Sequence, residues 1–66
     1  MTIQLNGRPH ALPGPVSVHG LLESLGIDPR TVAVELNRAV VRRKDYGEAV
    51  IEEGAEVEIV AFVGGG

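Results

Sequence analysis

Gly64, Gly65 and Gly66, at the C-terminal end of the sequence, are the residues whose type and placement point to a specific chemistry. Glycine has no side chain, so an extended glycine tail can thread a narrow channel into another protein's active site. A terminal α-carboxylate has a pKa of about 3.5 and is ionised at neutral pH. It can attack the α-phosphate of ATP and become an acyl adenylate, given a partner that supplies ATP, magnesium and charge stabilisation. A sulfur donor that then displaces AMP leaves a thiocarboxylate on Gly66, a far better nucleophile than the carboxylate. Such a carrier needs no cysteine, and the sequence has none. The plain alternative for a terminal glycine run is a frayed end.

Other chemistry is sparse. His10 and His19 are isolated, and Ser17 and Ser24 have no evident base partner. The glycine tail opens no helix, as a phosphate loop must. The acidic stretch from Glu48 to Glu58 lacks the ligand pattern of a calcium loop. No His/Asp/Glu cluster has metal-ligand spacing, so neither metal nor cofactor is expected. With 66 residues and one Phe, one Tyr and no Trp, the core must be aliphatic and small. A ligand cavity of about 300 Å³ or more would consume much of it, so an enzyme is not expected. The net charge of −3 argues against nucleic-acid binding, which needs Lys and Arg to displace counterions. The one basic cluster, Arg42-Arg43-Lys44, reads as a solvated turn, with partner docking as the lesser reading. No signal peptide is evident, and no apolar run approaches the roughly 18 residues that span a bilayer. A soluble, cytoplasmic protein is the expectation.

The elements that must position the tail follow from local patterns. Thr2 to Leu5 alternates as a half-buried strand, and Asn6-Gly7 is a hairpin turn because both residues tolerate positive φ. Pro9 and Pro13 lack backbone donors, so the return strand from Pro9 to Leu12 belongs at a sheet edge. Ser17 can cap a helix with Val18, Leu21, Leu22 and Leu25 on one stripe, closed by Gly26 and Ile27. Gly20 inside it suggests a close approach of helix to sheet. Asp28-Pro29 reads as a capped turn, followed by a strand over Val32 to Asn37 and a short one over Ala39 to Val41. Lys44 to Glu53 has no clear period, and Tyr46, Val50 and Ile51 are expected to plug the core's open end. After a turn at Gly54, the last strand runs from Val57 to Val63. One helix must then cover one face of one mixed sheet of roughly four to five strands, an α+β chain of the β-grasp arrangement. The first and last strands would be its central parallel pair. Residues 1–63 form the domain and 64–66 a flexible tail.

Along the last strand, Val57, Ile59, Ala61 and Val63 share one face, and Glu58, Val60 and Phe62 the other. With the first set toward the helix, apolar Val60 and Phe62 are exposed just before the tail. Exposed apolar residues beside a reactive end suggest a partner-docking site.

Taken in order, several segments resemble the ThiS family of thiamine-biosynthesis sulfur carriers. They are the opening strand with Asn6-Gly7, the Val18-x-x-Leu21-Leu22 helix and Val32-Ala33-Val34-Glu35-Leu36-Asn37. Val40-Val41-x-Arg43, the Gly54 turn before Val57-Glu58-Ile59-Val60, and Phe62-Val63-Gly64-Gly65-Gly66 complete the set. The resemblance covers essentially the whole chain. It implies a β-grasp carrier whose Gly66 is adenylated by a ThiF-type enzyme and takes sulfur from a donor protein. The thiocarboxylate then serves thiazole synthase, ThiG. Arg42 stands where Pro is frequent in the family, and Ala55 where an acidic residue is common; both lie away from the tail. A carrier for molybdopterin synthesis or tRNA thiolation is the neighbouring alternative, though the Ala-Val-Glu-Leu-Asn strand favours the thiamine branch. A ubiquitin-like interaction module with an inert tail is the alternative from another class.

Overall fold

A computed structural model describes residues 1–62. Val63, Gly64, Gly65 and Gly66 lie outside the described residues, and so does the expected boundary between domain and tail.

Strand β1 (Thr2–Leu5) turns through Asn6 and Gly7, at φ 51° and 80°, into the antiparallel β2 (Arg8–Ala11). Both positive φ values suit a tight hairpin, whose twist then matches that of the strands. The short β3 (Val16–Ser17) leads into helix α1 (Val18–Ser24). Ser17 caps the helix, its Oγ accepting from the Gly20 N–H at 2.9 Å. The helix ends in a Schellman motif: the Ile27 N–H donates to the Leu22 carbonyl at 2.9 Å, and the Gly26 N–H to that of Glu23 at 3.1 Å. A 3₁₀ turn (Pro29–Thr31) capped by Asp28 precedes β4 (Val32–Leu36), which turns through Asn37 and Arg38 into β5 (Ala39–Val41). After a second 3₁₀ turn (Arg43–Asp45) come the short β6 (Val50–Ile51) and the last strand, β7 (Glu56–Ala61).

The main sheet has five strands in the order β2-β1-β7-β4-β5. Its central β7 runs parallel to β1 and antiparallel to β4, so the sheet is mixed and β2 with Pro9 lies at an edge, as expected. Ile3, Val34 and Val57 from the sheet share one buried cluster with Val18, Leu21 and Leu22 of the helix. One helix on one face of a mixed sheet is the β-grasp arrangement read from the sequence.

The segment expected to be an irregular link has more structure than its lack of period suggested. β6 pairs with β3 in a separate two-stranded ribbon. Just before it, the carbonyls of Tyr46 and Ala49 accept from the N–H groups of His19 and Val18, both at 2.9 Å. These are first-turn helix donors, which have no intrahelical partner. Tyr46 and Ile51 are buried as expected, and the Tyr46 hydroxyl donates to the Val32 carbonyl at 3.4 Å. Val50 is not part of the plug: it is 53% exposed. Successive strand residues point to opposite faces, so burying Ile51 turns Val50 outward. Gly20 also has a different neighbour from the one expected. A Cβ there would lie 2.6 Å from Cγ2 of Val16, so the close approach is to β3 rather than to the main sheet.

Candidate functional site

The site is the end of β7, which carries the chain toward the glycines. At its start β7 is held on both sides. Gln4 and Leu5 of β1 stand beside Glu56 and Val57, and β4 runs alongside from Leu36, opposite Val57, to Val32, opposite Ala61. β1 ends at Leu5, and the side chain of Asn6 continues its role. Asn6 Oδ1 accepts from the Ile59 N–H at 2.7 Å, and its Nδ2 donates to the Ile59 carbonyl at 3.3 Å. The carboxamide thus acts as one more peptide unit of β1. Asn37, in the other hairpin turn, does half of this at the opposite edge: its Oδ1 accepts from the Glu56 N–H at 2.9 Å. Both turn asparagines therefore grip β7. The sequence marks them as turn residues, but nothing in it names their distant partners.

This clasp has a measurable consequence. Asn6→Gly keeps the left-handed turn and removes both side-chain bonds to Ile59. We expect a loss of about 1 kcal/mol, the usual net worth of such bonds, and faster hydrogen exchange at the Ile59 amide. Urea unfolding and amide exchange by NMR read the two effects, and unchanged exchange at Ile59 would show that the clasp is not closed in solution.

On the β4 side, the Phe62 N–H donates to the Thr31 carbonyl at 2.9 Å. Thr31 is fixed in turn by the capped turn: its N–H and Oγ1 both donate to the Asp28 carbonyl, at 3.0 and 2.7 Å. The Asp28 carboxylate accepts from the Arg30 side chain and backbone. The Arg30 side-chain hydrogen bonds, then its backbone N–H, lower the Asp28 pKa from 3.8 to about 2. The folded value lies below the unfolded one, so this contribution to stability is complete above about pH 4 and fades as pH falls toward about 2. The pair is exposed and the effect small. In a carboxyl-carbon NMR titration Asp28 is expected to titrate at about 2, below an ordinary aspartate, and Arg30→Gln, which keeps the backbone N–H, to move it only part of the way back.

Val60 and Phe62 lie on the face turned away from the helix, 58% and 53% exposed. Val57 is buried, and Ile59 packs half-buried against the core. Ala61, on the same inward face, is exposed. It lines a groove of about 580 Å³ with Leu25, Ile27 and Ile59, at the level where the helix has already ended. The candidate residues Gly64, Gly65 and Gly66 lie outside the described residues. Among the described residues no group of three or more His, Cys, Asp or Glu could hold a metal ion. No helix among them is long and apolar enough to cross a membrane.

Comparison with known proteins agrees with this geometry. The ThiS family model matches residues 3–66. The crystal structure of the thiamine biosynthesis protein (ThiS) from Geobacter metallireducens superposes with a TM-score of 0.87 at 33% identity, covering 100% of both chains. The chain is also 48% identical over 66 residues to a thiazole synthase of Magnetococcus marinus. It is 39% identical over the same length to a thiazole synthase of Paramagnetospirillum magneticum. It spans 100% of its own length but only 20% of each of these two relatives. The shared unit is therefore a small part of those proteins and the whole of the Geobacter ThiS chain. By the family match over nearly its full length, its β-grasp sheet and its likeness to a solved ThiS structure, this chain belongs to the ThiS family.

Proposed function

We propose that this chain is a sulfur carrier of thiamine (thiazole) biosynthesis whose working group is the Gly66 carboxylate. In the first step a carboxylate oxygen attacks the α-phosphorus of ATP on a ThiF-type adenylating enzyme, and pyrophosphate leaves. In the second, hydrosulfide supplied by a donor protein attacks the acyl carbon of the adenylate, forming the C–S bond as the C–O bond to AMP breaks and AMP leaves. The resulting thiocarboxylate then carries its sulfur to thiazole synthase, ThiG.

The observation that carries this reading is the family match, which includes the glycine tail. The likeness to two thiazole synthases supports that partner in particular. A carrier role also suits the domain itself, which among the described residues buries no charged side chain and, of side-chain hydroxyls, that of Tyr46, held by the Val32 carbonyl. The domain's task is to present the tail and a surface. Exposed Val60 and Phe62, two residues apart and just before the tail, are that surface's apolar part.

Incubation with ATP, magnesium, a ThiF-type enzyme and a sulfur donor tests the reading. The expected result, read by intact mass and C-terminal fragmentation, is exchange of one oxygen for sulfur at Gly66. Sulfur on an internal side chain, or no exchange with an enzyme active on another ThiS protein, would overturn it.

A further inference from the structure

The face of the main sheet turned away from α1 is acidic at one end and apolar at the other. Along β7 it presents Glu56, Glu58, Val60 and Phe62 in turn, all exposed. The register sets Glu35 of β4 directly opposite Glu58, and Ala33 opposite Val60. Across β4, Val40, which is 74% exposed, faces Glu35.

The ladder bonds from Phe62 to Thr31 and from Asn37 to Glu56 fix the parity. Glu35 and Glu58 are therefore a hydrogen-bonded pair, with α-carbons about 5.5 Å apart. Carboxylates directly opposite one another repel. Glu56 has a cation of its own, with Arg38 Nε at 3.4 Å from its Oε1. Neither Glu35 nor Glu58 has an ion pair among the described residues. With Gln4, Gly7, Glu56 and Arg38 they border a hollow of about 370 Å³, in which Arg38, the one cation, is paired with Glu56. The fold thus gathers three carboxylates around one arginine, leaving Glu35 and Glu58 without an ion pair beside an exposed apolar patch, on a face that no other described element covers.

We propose that this face docks a partner protein surface with Arg or Lys opposite Glu35 and Glu58, and apolar side chains opposite Val60 and Phe62. The proposal rests on reading this chain as a carrier, and deepens it by giving the chemistry of the partner's surface. Charge complementarity selects the occupant. A cation set between the two carboxylates relieves their repulsion only in the complex, so its benefit goes to association and not to folding. Complementary charge also steers encounter and orients it. Here it aligns the acidic end of β7 with the partner's basic patch and leaves the apolar end and the tail pointing onward. An acidic face equally disfavours nucleic acid.

The test titrates a ThiF-type adenylating enzyme with three forms of the full chain at low salt and at about 1 M salt. These are the unmodified chain, the double variant Glu35→Gln/Glu58→Gln, and Phe62→Asp. The double variant is expected to melt at the same temperature or higher, because it removes a repulsion. It should bind about tenfold more weakly at low salt. At about 1 M salt the Debye length is about 3 Å, and the two affinities should converge. If the double variant binds as tightly as the original at low salt while Phe62→Asp binds weakly, the charge proposal is overturned and the docking surface stands. If neither variant weakens binding, the docking reading falls too, whereas a carrier role would still be judged on sulfur exchange at Gly66.

Discussion

Deleting Gly66 is expected to lower sulfur exchange by at least about a hundredfold while leaving thermal unfolding unchanged. The fold is spared because every residue of the buried cluster lies between Ile3 and Val57. The last described backbone bond, from Phe62 to Thr31, also precedes the deletion. The chemistry is not spared. Without Gly66 the terminal carboxylate belongs to Gly65 and ends about 3.5 Å short in an extended chain. A reacting group misplaced by even about 1 Å can cost about a hundredfold in rate, because attack needs contact distance and alignment. Adenylate formation, followed as pyrophosphate release in the presence of the ThiF-type enzyme, separates loss of chemistry from loss of binding. The truncated chain should still compete with the full chain for that enzyme. Undiminished exchange after the deletion would remove Gly66 from the mechanism.

The second large effect concerns the core. Leu22→Ala is expected to destabilise the protein by about 2–5 kcal/mol, the range for emptying a fully buried leucine site. Leu22 has no exposed surface and lies in one cluster with Ile3, Val34 and Ile51. At about 0.05–0.15 kcal/mol per residue, a domain of this length has a total stability of only about 3–10 kcal/mol. The variant should therefore be marginal or substantially unfolded at room temperature, with a clear fall in the urea midpoint. Phe62→Asp, although it changes an aromatic residue to a charge, should stay within about 0.5 kcal/mol, since Phe62 is exposed and lies outside the buried cluster. Ile59→Ala falls between them, because Ile59 is half-buried and not enclosed. If Phe62→Asp unfolds the chain and Leu22→Ala does not, the faces of β7 are reversed.

Much of this was legible in the residues because the physics involved is local. Asn6-Gly7 makes a hairpin wherever it sits between alternating strands, since the positive φ values come from the two residues themselves. Ser17, Gly26 and Ile27 mark the helix ends through bonds that span only a few residues. Alternation along β7 assigned Val57 inward and Val60 and Phe62 outward without any knowledge of what would cover them. The chemical proposal for Gly66 also came from composition and position alone.

What the tertiary structure decided depends on register between segments far apart in the chain. That Asn6 grips Ile59, 53 residues away, requires β1 and β7 to lie parallel in one particular offset. No local pattern encodes that offset. The ribbon of β3 with β6 is a similar case: each strand has two residues, too few for a period to show, and they form because the fold brings them edge to edge. It also turned Val50 outward and set Val16 against Gly20. The opposition of Glu35 and Glu58 is the clearest instance. Each reads in sequence as an ordinary exposed residue of a half-buried strand. Only the pairing of β4 with β7 makes them one acidic site, because Coulomb repulsion acts over distance in space and takes no account of separation along the chain.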